Sequence, residues 1–197
     1  VIPARGGSKR LHRKNIHPLL GKPLMSYAIE ACKGSQYLDA QNIYVSTEDE
    51  EIAEIAIQSG AKVIDRPNEL AEDHVWTQDV LSHALEWSER QTGSEFDVLV
   101  RVQANSPQIT SQKIDECIRK LQEHSLWEVF TVDEDGVEDA AVHVMLRKCV
   151  NQKALSVYKG VVSTSYTDIH TFEDLKIVEE LMLKCQAYIR KHSLWLP

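Results

Sequence analysis

The sequence predicts an α/β fold: a three-layer α/β/α arrangement around a mostly parallel, Rossmann-like sheet. Three observations predict it. Strand-like and helix-like segments alternate along the chain, as a parallel sheet with crossover helices requires. The helical segments carry apolar residues at helical spacing on one face. The 197 residues are 43% hydrophobic and 26% charged, enough for one sizeable core and far from disordered or low-complexity composition. The whole chain, 1–197, is read as one domain. Its polar, irregular stretch 133–160 is assigned to binding of a second substrate or to dimerisation.

Element by element, Val1-Ile2 ends a strand and Pro3 to Pro23 is a long loop. Leu24 to Cys32 has helical apolar spacing. Asn42 to Ser46 is β-rich, and Thr47 with Glu50 forms a capping box for a helix burying Ile52, Ile55 and Ala56. The acids 48–51 lie in that helix's first turn, where the dipole favours them, so they are read as a helix start and not as a metal cluster. Ala61 to Ile64 is a short strand. Thr77 is the expected cap of a helix carrying Val80, Leu81, Ala84 and Trp87. Asp97 to Val102 is the best buried strand. Thr110 or Ser111 caps a helix with Ile114, Cys117, Ile118 and Leu121 on its face. Glu128 to Val132, Ala140 to Leu146 and Val161 to Thr167 read as strands. Thr171 and Asp174 open a last helix with Leu175, Val178, Leu181, Met182, Cys185 and Ile189 on one face.

Charge narrows the function. Lys and Arg number 22 against 30 Asp and Glu, a net of -8, which argues against a general nucleic-acid or membrane-surface binder. No apolar run approaches the roughly 18 residues of a spanning helix, and no signal peptide is visible. A cytoplasmic location is expected. The chain opens at Val1 without a Met, so its natural start is expected to lie upstream. Cys32, Cys117, Cys149 and Cys185 form no C-x-x-C and are read as buried, reduced thiols. The charge is unevenly placed: Arg5, Lys9, Arg10, Arg13, Lys14 and Lys22 precede the first acid, Glu30. With Gly6-Gly7-Ser8 among them, this segment points to a phosphate site, because glycines let backbone N–H groups approach an anion closely.

That loop is not a P-loop, since G-x-x-x-x-G-K-[ST] is absent, nor a dinucleotide fingerprint, since G-x-G-x-x-G is missing. There is no G-x-S-x-G either. What stands there is Ile-Pro-Ala-Arg-Gly-Gly-Ser-Lys-Arg-Leu from Ile2, then Arg13-Lys14-Asn15 and Leu-Leu-Gly-Lys-Pro-Leu at 19–24. This resembles the opening of the acylneuraminate cytidylyltransferases, the CMP-sialic acid synthetases. Further matches follow in order: Val45-Ser46-Thr47 with Glu50-Glu51-Ile52-Ala53, Asp65-Arg66-Pro67 with Glu69-Leu70-Ala71 and Asp73, Gln103 to Pro107, and Asp168-Ile169-His170-Thr171 with Glu173-Asp174-Leu175.

The resemblance implies the nucleotide-diphospho-sugar transferase type of the fold, and transfer of CMP from CTP to a nine-carbon keto-acid sugar with release of pyrophosphate. It implies Mg²⁺, with Mn²⁺ as an alternative, and a homodimer. By the same resemblance Arg5 and Lys14 grip the triphosphate. Ala4, Gly6, Gly7, Ser8, Lys9, Asn15, Ser46 and Arg66 surround the nucleotide. Gln103, Asn105 and Ser106 face the sugar, and Asp168 binds the metal. His170 stands where the family has a second metal carboxylate, which weakens a hard-cation site. Asn105 replaces a Thr and Glu48 an Asp. The 133–160 stretch lacks the family's recognisable sugar segment. Another sugar acid (3-deoxy-octulosonate, legionaminate, pseudaminate or a spore-coat sugar) is the alternative substrate, and a nucleotide-binding homologue without turnover the alternative class.

Overall fold

The computed structural model describes residues 1–192; the remainder of the predicted domain, 193–197, lies outside the described residues. Three short parallel strands come first in space. These are β1 (Ile2–Pro3), β4 (Tyr44–Thr47) and β5 (Lys62–Asp65), in the order β1-β4-β5. A second group, β6 (Val98–Val102), β7 (Glu128–Val132), β8 (Glu138–Leu146) and β9 (Lys159–Ser163), has the order β6-β8-β7-β9. Val1 joins the groups. Its amino group donates to Val100 O at 2.7 Å, and Val102 N–H donates to Val1 O at 3.0 Å, the pattern of a parallel ladder. One sheet results, β5-β4-β1-β6-β8-β7-β9. Only β8 runs against its neighbours among the described residues. The mostly parallel sheet is as predicted.

Helices α1 (Leu24–Lys33), α2 (Glu50–Gln58) and α4 (Ser111–Glu123) cover one face. Met25, Ile29, Ile52, Ala56, Ile114 and Cys117 interlock there with Ile2, Val45, Val102 and Val144. Helix α3 (Thr77–Thr92) covers the other face, packing Leu81 and Leu85 on Leu99 and Met145. Each such side chain, fully buried, contributes about 1.5–3 kcal/mol of transfer free energy before entropy is counted. Helix α5 (Phe172–His192) seats Leu175 and Val178 on Leu11, Leu19 and Leu24.

Several local expectations are corrected. The Pro3 to Pro23 loop contains a hairpin of β2 (Pro18–Leu19) and β3 (Lys22–Pro23). Leu20 (φ 47°) and Gly21 (φ 81°) form its two-residue turn, both left-handed as that turn type demands. Helix α2 is capped by Asp49, whose side chain accepts from Ile52 N at 3.0 Å; Thr47 accepts from Asp49 N instead. Helix α3 has no side-chain cap, and Thr77 is its first residue. Thr110 does cap α4, and Thr171 with Asp174 bond reciprocally at the start of α5. The strand read at Val161 to Thr167 ends at Ser163, because Thr164 N–H makes the last bond to β7, to Val132 O at 2.8 Å, and beyond it the chain turns toward the site. On α5 only the first turns are buried. Leu181, Cys185 and Ile189 are exposed, so Cys185 departs from the buried thiols Cys32, Cys117 and Cys149.

Candidate active site

A cleft of about 520 Å³ opens at the carboxyl ends of β1, β5 and β6, where ligands of open α/β sheets bind. It gathers Arg5, Ser8, Lys9, Lys14 and Asn15 from the opening loop, Arg66 from the end of β5, Gln103 and Asn105 from beyond β6, and His170. Residues far apart in sequence that were predicted for one site therefore line one cavity. Arg10 adds a further cation, and Leu70, Val75 and Val80 an apolar wall.

The opening loop is shaped by two acids at the start of α2. Glu48 Oε1 accepts from Gly6 N–H at 2.8 Å. Asp49 receives both arms of the Arg13 guanidinium, one at 2.8 Å, and Glu51 binds Arg13 as well. Such a forked pair sets orientation as well as energy, and Arg13 itself stands at φ 54°. A Cβ on Gly6 would lie 3.0 Å from Asp49 Cγ, so glycine is required by this packing; at Gly7 a Cβ would meet nothing within 4 Å. The acids at 48–51 thus start a helix, as expected, and also anchor the loop. Composition placed Arg13 in the basic segment but gave no sign of its partners.

The loop's N–H groups are not all free for an anion. Gly6 N–H is used by Glu48 and Ser8 N–H by Gly6 O at 2.9 Å. Gly7 N–H has no protein acceptor among the described residues. Ala4 is buried and bonds Ser46 O, so it fixes the loop's exit from β1 and does not line the cleft. Asn15 is buried and donates from Nδ2 to Arg5 O at 2.9 Å, which positions the Arg5 backbone.

Arg66 lines the cleft with its side chain almost wholly buried. Its Nε donates to Ser46 Oγ at 3.1 Å, and its Nη2 to Ser46 O. Ser46 is therefore a support beneath Arg66, not a wall of the pocket, because its hydroxyl is fully buried against that guanidinium. Burial pushes the Arg66 pKa down to about 10, against the pull of Glu48 at 3.9 Å and with a smaller contribution from Arg5. It stays cationic at neutral pH. Burial likewise lowers the Lys14 ammonium below its usual range, while the Asp168 charge opposes the shift.

Asp73 fills the other side. Arg5 Nη2 lies 2.8 Å from Asp73 Oδ1, Arg5 Nη1 donates to Ala71 O at 3.1 Å, and Lys9 pairs with the second oxygen of Asp73. Asp73 was part of a sequence motif without an assigned role. Opposite, Ser106 Oγ donates to Asp168 Oδ1 at 2.7 Å, and His170 Nε2 stands 3.1 Å from Asp168 Oδ2. Ser106, expected at the sugar, is fully buried, holds Asp168 and does not line the cleft. Asn105 Nδ2 donates to Ile169 O at 2.8 Å, tying the Asp168 loop to the end of β6. Gln103 lines the cleft half-exposed. Asp168 and His170 supply one carboxylate and one imidazole, and no group of three His, Cys, Asp or Glu suited to a metal occurs among the described residues. This donor set fits a Mg²⁺ shared with substrate phosphates and not a cage built by protein alone.

A family model described as cytidylyltransferase matches residues 1–191. A pseudaminic acid cytidylyltransferase of Campylobacter jejuni is 35% identical over 135 residues, 68% of this chain and 57% of that protein. An N-acylneuraminate cytidylyltransferase of Streptococcus agalactiae is 35% identical over 134 residues, 68% of this chain and 31% of that protein. The match thus spans little more than half, or less, of these relatives' length. Among solved structures, a CMP:2-keto-3-deoxy-manno-octonic acid synthetase complexed with CTP superposes with a TM-score of 0.73 at 16% identity, covering 93% of this chain and 97% of that one, and so shares the fold. With the family model matched over nearly its entire length, the chain belongs to the cytidylyltransferase family.

Proposed function

We propose that the chain transfers CMP from CTP to the anomeric oxygen of a sugar acid and releases pyrophosphate. One observation carries this reading: Arg5, Lys9, Lys14 and Arg66 line a single cleft together with Gln103, Asn105 and His170. Arg5 and Lys14 grip the triphosphate, with Lys9 and Gly7 N–H beside them. Asn15 and Arg66, supported by Ser46, bound the nucleoside end. The anomeric hydroxyl gives up its proton to solvent, its oxygen forms a bond to the α-phosphorus while the bond from that phosphorus to the bridging oxygen of the β-phosphate breaks, and pyrophosphate leaves with that electron pair. Positioning and fixed positive charge supply the rate. Mg²⁺, or Mn²⁺, would neutralise phosphate charge when bound, with Asp168 as its carboxylate ligand and Ser106 orienting that carboxylate.

A nonulosonic acid of the sialic or pseudaminic kind is the proposed acceptor, since relatives named for both match the chain equally well. The 133–160 stretch, which supplies β8 next to β6, is the proposed sugar side. A homodimer is proposed as well: Ile177, Leu181, Cys185 and Ile189 stand exposed in one i, i+4 row of α5, and contiguous apolar patches are uncommon on monomers. The test is a panel: protein, Mg²⁺ and CTP with N-acetylneuraminate, pseudaminate, legionaminate or 3-deoxy-octulosonate, read as pyrophosphate and CMP-sugar mass. Product with a nine-carbon acid is expected. Product only with the eight-carbon acid would reject the acceptor class. CTP binding without product across the panel, in Mg²⁺ and in Mn²⁺, would reject the transferase reading.

A further inference from the structure

Arg101 lies on β6 two residues before the cleft residue Gln103, on the same face of the sheet, so their Cα atoms are one strand repeat apart, about 6.5–7 Å. Its side chain is only 9% exposed. A guanidinium carries five N–H donors, yet Arg101 makes one side-chain hydrogen bond among the described residues, from Nη2 to Glu138 Oε1 at 3.5 Å, and its Nε is buried without an acceptor. Arg66, 3% exposed, is by contrast bonded through two of its nitrogens to Ser46. The rest of β6 is Val98, Leu99, Val100 and Val102, so an apolar residue at 101 would serve stability better than an underpaired buried cation.

The neighbouring acids are engaged elsewhere. Glu128 is bonded to His143, which stands opposite Arg101 in the ladder, and to Ser156 N. Asp139 is held by Thr131 and Thr164. Asp168 is held by Ser106 and His170, although its charge still reaches Arg101. Glu138, the single partner, is 37% exposed and at the limit of bonding distance. A site with a rigid planar fork, unfilled donors and one loosely held carboxylate is suited to a second carboxylate bound side-on.

We propose that Arg101 recognises the carboxylate of the sugar acid, and that Glu138 holds the place of that carboxylate in the free protein. This rests on the transferase reading for the identity of the ligand. Gln103 then meets the sugar one strand repeat nearer the nucleotide. Specificity for acids over neutral sugars arises at Arg101, and Glu138 competes with the substrate for the same donors.

The test compares N-acetylneuraminate, pseudaminate and 3-deoxy-octulosonate with their methyl esters. Binding to the full chain is measured with CTP present, and CTP affinity is measured alongside. The wild type should bind its best acid about tenfold or more above the ester, a charge-assisted fork being lost in the ester. Glu138→Gln should tighten the acid and leave the ester unchanged. Arg101→Lys should weaken the acid and collapse the acid-to-ester ratio, with CTP affinity within about twofold of the wild type. Equal binding of acid and ester, an unchanged ratio in Arg101→Lys, or no binding of any of the three acids would overturn the proposal. If Arg101→Lys does not fold, Glu138→Gln decides: unaltered acid affinity overturns it. A wild type that discriminates acid from ester through Arg101 but forms no CMP-sugar would end the transferase reading and leave this carboxylate site standing.

Discussion

Asp73 Oδ1 sits 2.8 Å from the Arg5 guanidinium and shares its other oxygen with Lys9. Two cations expected to grip phosphate are therefore occupied by a carboxylate of this chain. Both hold the Asp73 carboxyl below the usual range, Lys9 more than Arg5. On the proposed function, CTP displaces Asp73 to reach them. Asp73→Asn is expected to lower the KM for CTP several-fold with kcat little changed, because only the competitor in the free protein is removed. Steady-state kinetics with varied CTP check it; a raised KM would mean that Asp73 supports the bound nucleotide instead.

Gly6 and Gly7 look alike in sequence and differ in packing. Gly6→Ala places a methyl 3.0 Å from Asp49 Cγ, while Gly7→Ala meets open space. Overpacking of this kind costs about 1–3 kcal/mol. Gly6→Ala should lower Tm and weaken CTP binding together, and Gly7→Ala should leave Tm unchanged. Thermal unfolding of both variants decides it.

Ser106 donates at 2.7 Å to Asp168, the proposed metal ligand. Removing such an outer partner usually costs about 10–100-fold in metal affinity or activity. Ser106→Ala is expected to raise the Mg²⁺ concentration needed for half-maximal rate, with CTP binding in the absence of metal unaffected. A metal titration of the rate provides the check.

The Arg13 fork holds the Asp49 carboxyl below its ordinary value of 3.8, and the Ile52 N–H assists after burial is set against it. The folded protein thus binds fewer protons at Asp49 than the unfolded chain. The pair's contribution to stability is complete above 3.8 and is lost as pH falls through the lower folded value. The stability gap between wild type and Asp49→Asn should be constant from pH 7 to about 5 and shrink in more acid solution. Urea unfolding across that range measures it.

Much of the fold is legible in the sequence because each element obeys one local rule. Glu128–Val132 is a strand at the predicted bounds, and α4 buries the four residues its spacing selects. Sequence periodicity does not say which strand pairs with which, so the antiparallel insertion of β8 between β6 and β7 is invisible to it. Site residues divide the same way. Arg5, Lys14, Arg66 and Gln103 are found by type and motif because they face the cleft. Ser46 and Ser106 carry the chemistry of ligands but turn inward, and only their tertiary partners reveal that role. Arg13 and Asp49 are 36 residues apart, beyond any local rule. Cys185 follows the helical period of α5, yet nothing in this chain among the described residues covers that turn.

The central claim is that this cleft binds the triphosphate of CTP, and titration of CTP into the protein by calorimetry tests it most directly. The wild type should bind saturably with Mg²⁺ present. Arg5→Ala and Lys14→Ala should each weaken binding by about 10²-fold, as loss of a charge-assisted contact of roughly 2–3 kcal/mol implies, with Tm within a few degrees of the wild type. Undiminished CTP affinity in both folded variants would contradict the account and place the nucleotide elsewhere.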